Sequence, residues 1–197
     1  MGQRLIITVK KNDADLCKIY YHWSAYTESA VEQAKELIEY LNENKNIDTR
    51  LACLRFVYSQ GGQVRENDDD FAYTRELFPD EPLNHDGHRN HGLISFTDFG
   101  MDALQGWGEG DLIIDLDSRE IINDVVYTYA TLTELNEVLL DCGEPPITSE
   151  DDPRLFDVKY DITEFSFNDI DAVLDIIKNW SWQNFIVCGE LYCQKIE

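Results

Sequence analysis

Residues 5–23 of the chain read LIITVKKNDADLCKIYYHW. Residues 5–9 are rich in β-branched side chains, and residues 17–23 form a second run of strand-forming residues. Residues 11–13 separate the two runs with residue types that are common in turns. This stretch therefore predicts a β-hairpin at the start of the fold. Because side chains alternate across a strand, the second strand should place Ile19, Tyr21 and Trp23 on one face and Lys18, Tyr20 and His22 on the other.

Two helices are predicted after the hairpin. Ser29 and Glu32 fit a capping box at the start of the first helix, and residues 44–46 should end it. Apolar residues recur at helical spacing at Ala30, Ala34, Leu37 and Leu41. Residues 51–58 form a second apolar segment whose period fits either a helix or a strand, and we predict a helix that stops at Gly61.

The rest of the chain alternates irregularly between strand and helix patterns. We predict strands ending at Phe96 and over residues 112–116, 120–129, 156–162 and 185–192. Helices are predicted over residues 98–104, from a capping box at Thr131 and Glu134 to Gly143, and over residues 168–180. This order predicts an α+β fold, in which a mixed or antiparallel sheet with hairpins packs against three to four helices.

Residues 61–91 are polar and acidic and include Pro79 and Pro82. We predict a long acidic loop here, within a single domain that spans residues 1–197. A domain boundary is the alternative, but the sequence on neither side looks able to fold alone.

Charge is distributed unevenly along the chain. The 16 Lys and Arg against 39 Asp and Glu give a formal net charge of −23 at pH 7. The first 60 residues are neutral, so residues 61–197 carry the whole imbalance. A chain this acidic repels phosphate backbones and anionic lipid, which excludes direct binding to nucleic acid or to a membrane as its predicted function.

Two interpretations of the charge stay open: a device that keeps the protein soluble, and an acidic face that docks on a basic surface of a partner protein. The candidate docking residues are Asp68, Asp69, Asp70, Asp80, Glu81, Asp111, Asp115, Asp117, Glu150, Asp151, Asp152, Asp169, Asp171 and Asp175.

Mimicry of a DNA duplex is a stricter form of the docking interpretation. A folded chain of this mass has about 9,600 Å² of surface, or one net charge per about 400 Å². A duplex treated as a cylinder carries one charge per about 100 Å². Mimicry therefore requires the carboxylates to converge on one face.

Cysteine usage and hydropathy favour a cytoplasmic protein. The five cysteines are an odd number and widely scattered, which predicts reduced thiols rather than a disulfide framework. No apolar stretch approaches the roughly 18–20 residues of a membrane span, and the first residues lack the apolar core of a signal peptide.

Three of the four histidines fall in residues 85–91, which read HDGHRNH. Imidazole and carboxylate groups bind Zn²⁺ and other first-row ions, so His85, Asp86, His88 and His91 are candidate metal ligands. A solvated loop is the alternative, because Gly87 and Pro82 favour a loop and no fourth ligand is specified. The cluster makes a metal-dependent enzyme or metal-binding protein the second candidate function.

Residues 20–27, YYHWSAYT, form the most distinctive stretch, at a strand-to-helix connection. Such connections often carry functional groups, which makes His22, Trp23 and Tyr26 candidate residues for a ligand or partner site. Ordinary aromatic packing is the alternative.

This stretch, together with MGQRL at residues 1–5 and GLI at residues 92–94 before Gly100 and Met101, resembles uncharacterised proteins of Gram-positive bacteria and their phages. The resemblance implies an origin in a mobile element and no catalytic residues. Small acidic phage proteins often inhibit host defence, as anti-CRISPR and anti-restriction proteins do, and several occupy nucleic-acid-binding surfaces.

The leading prediction is therefore a non-enzymatic acidic binding protein. Its partner should be a basic protein surface on a nucleic-acid-handling protein, for example a host defence protein that a phage-type inhibitor blocks. This function requires no cofactor, and any bound divalent metal would be adventitious.

Overall fold

The computed structural model describes residues 4–25, 27–84, 86–124, 136, 139–141, 143, 145–149 and 164–178. Seven strands form one sheet in the order β3-β4-β2-β1-β5-β6-β7. The strands are β1 (Leu5–Lys11), β2 (Ala14–Tyr21), β3 (Gln63–Val64), β4 (Leu93–Ser95), β5 (Gly110–Asp115), β6 (Glu120–Asp124) and β7 (Glu164–Ser166). The α-helices within the described ranges are α1 (Thr27–Glu43), α2 (Thr49–Ser59), α3 (Asp68–Leu77), α4 (Asp98–Gln105) and α5 (Ile170–Lys178).

The predicted hairpin is confirmed and forms the centre of the sheet. β1 and β2 pair antiparallel from Leu5 opposite Tyr21 to Lys11 opposite Ala14. Asn12 and Asp13 join them with positive φ angles of 54° and 58°, the geometry that matches the twist of a two-residue hairpin. The second strand begins earlier than predicted and ends at Tyr21, so Trp23 follows the strand and does not share the buried face of Ile19 and Tyr21.

The sheet is mixed, and the α+β fold class is confirmed. β1 also pairs in parallel with β5, and β3 pairs in parallel with β4, whereas the other neighbouring strands are antiparallel. β1 is buried on both faces. Leu5, Ile7 and Val9 join the main core, while Ile6 packs with Tyr20, Leu93 and Leu104 on the opposite face.

The first two helices cover the main core. α1 begins at Thr27, so Ser29 lies in its first turn rather than at its cap, and the predicted first helical residue, Ala30, is three residues too late. The helix predicted over residues 51–58 is confirmed as α2. Asp48 caps it by accepting hydrogen bonds from the backbone N–H groups of Arg50 and Leu51.

Residues 61–91 are not the long loop that the sequence predicted. They contain β3, α3 and a 3₁₀ turn at Arg89–His91. Asn67 caps α3 by accepting a hydrogen bond from the N–H of Asp69. The carboxylates in the first turn stabilise the helix because they interact favourably with the partial positive charge at its N-terminus. The acidic run therefore starts a helix instead of extending a loop.

The second half follows the prediction in most of the described residues, except that β7 (Glu164–Ser166) was not predicted. The predicted helix over residues 98–104 is confirmed as α4, with Thr97 as its cap, and the predicted strands correspond to β5 and β6. Asn136 and residues 139–141 are helical, and Gly143 follows with a φ of 79°. Several predictions lie outside the described residues. They are the capping box at Thr131 and Glu134, the last five residues (125–129) of the strand predicted over residues 120–129, and the strands predicted over residues 156–162 and 185–192.

None of the helices in the described ranges is long and apolar enough to cross a membrane.

Candidate functional site

A buried carboxylate joins the start of α3 to β4 and α4. Asp70, in the first turn of α3, is 1% exposed. Its Oδ1 accepts from the hydroxyls of Ser95 at 2.6 Å and Thr97 at 2.7 Å, and its Oδ2 accepts from Nη1 of Arg65 at 2.6 Å. Since Thr97 also caps α4, this network holds the first turns of α3 and α4 side by side.

Gly100 allows α4 to approach this network closely. A Cβ atom at this position would overlap the Ser95 hydroxyl and Oδ1 of Asp70 and lie only 2.8 Å from Oδ2 of Asp70. The hydrogen bonds fix those oxygen atoms, so they have little freedom to move aside.

An exposed aromatic ring lies at the surface beside the network. The guanidinium carbon of Arg65 lies 5.5 Å from the centroid of the Phe99 ring, within the range of a cation–π contact. Phe99 is nevertheless 64% exposed. An exposed aromatic ring on a rigid support is a residue type that can serve as an anchor in a protein interface.

Five exposed carboxylates lie in or beside the two helices that the Asp70 network joins, each within four residues of Phe99 or Arg65, and we call this set the α3–α4 acidic patch. Asp98 and Asp102 are four residues apart on α4, so they project from the same side of the helix. Ion pairs among the described residues leave all five free, and Arg65 below Phe99 is already paired with Asp70. The patch consists of Glu66, Asp68, Asp69, Asp98 and Asp102.

The structure brings together only part of the predicted docking set. Asp68 and Asp69 belong to the patch, but Asp70 is buried and fully engaged, so its charge is not presented to a partner. Sequence reasoning missed Glu66, Asp98, Phe99 and Asp102, although the spacing of Asp98 and Asp102 on a predicted helix was a signal for them.

Several other predicted docking residues serve local contacts. Glu81 pairs with Arg55, and Asp111 accepts from the Gln105 amide at 2.7 Å. Asp115 accepts from the N–H groups of Ser118 and Asp117, and these hydrogen bonds lower the pKa of its carboxyl. Asp117 accepts from the N–H of Asn12, and Asp80 is exposed in the turn after α3.

The remaining predicted residues do not join the patch. Asp171 and Asp175 are exposed on α5, next to the β7 edge of the sheet, whereas α3 packs at the β3 edge. Asp171 pairs with Lys35 at 2.6 Å, and Asp169 accepts from the Ser166 hydroxyl. Glu150, Asp151 and Asp152 lie outside the described residues.

The predicted aromatic site is partly described. The Tyr20 hydroxyl and Nδ1 of His22 lie 2.7 Å apart, and the rings of His22 and Trp23 meet edge to face at 4.8 Å. Burial raises the pKa of Tyr20. Trp23 is 55% exposed and Trp107, which contacts Tyr20, is 42% exposed. Tyr26 lies outside the described residues.

The histidine cluster stays a prediction. The ring centroids of His88 and His91 lie 5.7 Å apart. His88 caps the 3₁₀ turn, because its Nδ1 accepts a hydrogen bond from the N–H of Asn90. Asp86 is exposed, and His85 lies outside the described residues. Within the part of the chain that the structure describes, no group of three or more His, Cys, Asp or Glu side chains is placed to hold a metal ion.

Comparison of the chain with protein-family models, with curated proteins and with solved structures finds no match.

Proposed function

We propose that this chain is a non-enzymatic binding protein whose α3–α4 acidic patch docks on a basic surface of a partner protein. The observation that carries the proposal is the exposed ring of Phe99 among five carboxylates without cationic partners in the described part of the chain. An aromatic anchor buried at the centre of an interface supplies affinity, and the surrounding charges speed encounter and exclude wrong partners.

The buried hydrogen-bond network next to the patch supports this proposal. The buried Asp70 network fixes the relative positions of the two helix starts, so the carboxylates are presented on a rigid platform. A rigid platform loses little conformational entropy on binding, which favours affinity for a given contact area.

The partner class follows from the charge. A dense group of carboxylates complements the Lys-rich and Arg-rich surfaces with which nucleic-acid-handling proteins bind phosphates. We therefore propose a nucleic-acid-handling protein as the partner. Inhibition of a host defence protein is the specific form of this proposal that the resemblance to phage proteins implies.

A matched pair of charge variants tests the proposal. The patch variant carries Asp68→Asn, Asp69→Asn and Asp98→Asn, and the control variant carries Glu43→Gln, Asp141→Asn and Asp175→Asn, which are exposed carboxylates outside the patch. Both variants change the net charge equally. Each is immobilised and used to capture proteins from a Gram-positive bacterial lysate, and captured proteins are then purified and titrated against the wild-type chain.

We expect the wild type and the control variant to bind the same basic nucleic-acid-binding protein, and the patch variant to bind it about tenfold or more weakly. Phe99→Ala should weaken binding by a similar factor without unfolding the chain, because the ring is mostly exposed. Equal binding by the patch and control variants, or capture of no basic protein that depends on the patch, would contradict the proposal.

A further inference from the structure

A second surface feature has the opposite charge to the rest of the molecule. At one end of the sheet, the β1–β2 turn, the β5–β6 turn and the α1–α2 connection enclose a cleft of about 190 Å³. Lys11, Lys45 and Arg119 line it, and no carboxylate of the described residues does. Three cations thus converge in a chain whose net charge is −23.

The three cations are free to bind an anion. Lys45 and Arg119 are exposed and Lys11 is half-buried, and ion pairs within the described part of the chain involve none of them. Nζ of Lys11 lies 3.3 Å from the Thr49 hydroxyl. The Arg119 guanidinium stacks over the ring of Phe167 at 5.3 Å, which holds its donors at the wall of the cleft.

Three carboxylates that are close in sequence to lining residues make hydrogen bonds with backbone N–H groups. Asp48 accepts hydrogen bonds from the N–H groups that start α2. Asp115 accepts hydrogen bonds from N–H groups of its own turn, and Asp117 accepts one from the N–H of Asn12. Glu43 lies on the chain between two lining residues but is exposed and does not line the cleft. Each of the three hydrogen-bonded carboxylates is thus held at a turn or helix cap, and none of them lines the cleft.

The walls combine polar donors with an apolar side. Asn42, Asn44 and Thr49 add amide and hydroxyl groups to the cationic side, and Leu41, Leu116 and Phe167 form the apolar side. Binding sites for small molecules typically pair apolar walls with a few converging polar groups. Several cations with neighbouring neutral donors suit a phosphate dianion better than a carboxylate, which carries one charge and fewer acceptor oxygens.

We propose that this cleft binds a small phosphate monoester, with Lys11, Lys45 and Arg119 around the phosphate and the apolar side chains against its organic group. The site is independent of the acidic patch and separate from the docking function. It would let a small metabolite bind to a chain whose net charge repels the phosphates of nucleic acids, because three cations and no carboxylate of the described residues line the cleft.

Titration with phenyl phosphate, inorganic phosphate and benzoate at constant ionic strength tests the proposal, with backbone amide NMR shifts as the readout. We expect saturable shifts confined to Lys11, residues 42–49 and residues 116–119, with phenyl phosphate binding tightest and benzoate at least about tenfold weaker. Absence of saturation up to about 20 mM phenyl phosphate, or equal binding of benzoate, would overturn the proposal.

Matched variants separate a built site from general charge. Lys45→Gln with Arg119→Gln should weaken phenyl phosphate binding by about tenfold or more, whereas Arg75→Gln with Arg89→Gln removes two exposed cations elsewhere and should leave it unchanged. Lys45→Gln alone changes only an exposed side chain. It should also weaken phenyl phosphate binding, so the proposal stays testable if the double variant does not fold. Equal weakening in the cleft variant and its control would also overturn the proposal, and none of these results bears on the docking function.

Discussion

The Asp70 carboxylate links three segments that lie apart in sequence. It accepts from Arg65 before α3, from Ser95 on β4 and from Thr97 at the cap of α4. A buried charge is tolerated only when it is paired and hydrogen-bonded, and both carboxylate oxygens of Asp70 are engaged. This residue therefore determines where the exposed carboxylates beside it lie, although it cannot contact a partner itself.

Gly100 makes the clearest prediction for a single residue. Gly100→Ala should lower the free energy of unfolding by about 1–3 kcal/mol, because the new methyl group overlaps atoms that the Asp70 network holds in place. An alanine inside a helix otherwise stabilises it by about 1 kcal/mol relative to glycine. Urea unfolding followed by circular dichroism measures the change.

Gly106→Ala is the matched control for this substitution. Gly106 is the C-cap of the same helix, with a φ of −64°, and a Cβ there would meet its nearest atoms at ordinary distances of 3.6 Å and 3.7 Å. It should unfold at the same urea concentration as the wild type or a higher one. A Gly100→Ala variant as stable as Gly106→Ala would show that the network is not rigid.

The orientation of single residues is what the sequence could not reveal. The three consecutive aspartates at residues 68–70 look equivalent in the sequence. In a helix, side-chain directions rotate by about 100° per residue, so Asp70 points inward on the same side as Thr74, whereas Asp68 and Asp69 stay exposed. Once these residues are assigned to a loop, that distinction is lost. Phe99 was missed for a related reason, since an aromatic residue on a short helix is usually assigned to the core.

At the level of elements, the acidic helix starts have two explanations that can be separated. Carboxylates in a first turn each stabilise a helix by about 0.3–1 kcal/mol, which accounts for Asp68, Asp69 and Asp98 without any partner. Asp102 lies beyond the first turn, where this effect has faded, and its like charge four residues from Asp98 costs about 0.2–0.5 kcal/mol. Helix stability thus does not account for Asp102, and the proposed docking function gives this carboxylate a role that the charge variants test.

The β5–β6 turn makes a prediction about pH. The pKa of Asp115 is lowered in the folded state by hydrogen bonds from the backbone N–H groups of Ser118 and Asp117. A lowered folded-state pKa contributes stability that is present above the unfolded pKa of about 3.9 and disappears as pH falls through the folded value.

Asp115→Asn should therefore be less stable than the wild type above about pH 5, and the difference should vanish at acid pH below the folded pKa. The difference between the two proteins is the informative quantity, because relief of repulsion among other carboxylates affects both equally. Urea unfolding at several pH values measures it. A difference independent of pH would show that the carboxylate charge is not involved.

Elements were predictable where the sequence signal is local. The hairpin, α1, α4 and the β5–β6 pair each follow from a turn or a short-range period. The region around α3 was not, since its helix depends on the Asn67 cap and on long-range contacts of Asp70 rather than on a clear apolar repeat. The parallel pairing of β1 with β5 also joins segments about a hundred residues apart, and no local pattern specifies it.

For the whole molecule, the acidic patch and the cationic cleft lie at different places in the described part of the fold. The acidic patch lies at the starts of α3 and α4 near the β3 side of the sheet, while the cationic cleft lies where the β1–β2 and β5–β6 turns meet the α1–α2 connection. The cleft takes its lysines from the neutral first 60 residues, and the patch takes its carboxylates from the acidic remainder.

Net charge also predicts how salt changes stability. With a formal charge of −23, repulsion among carboxylates should outweigh the few exposed ion pairs, each worth at most about 1 kcal/mol. Raising NaCl from about 10 mM to about 0.5 M shortens the screening length from about 30 Å to a few ångströms, so the melting temperature should rise. Thermal unfolding in NaCl and in KCl measures this, and a melting temperature that falls with both salts would contradict it.

The same salt change should act on docking in the opposite direction. Attraction between the α3–α4 acidic patch and a basic surface is screened by the ions that relieve repulsion within the fold, so the affinity for the partner should fall while the melting temperature rises. Opposite signs rule out unfolding as the cause of weaker binding. An affinity that stays constant while stability rises would mean that the carboxylates serve solubility alone. The patch variant has three fewer negative charges, and in that case it should bind the partner as tightly as the wild type at every salt concentration.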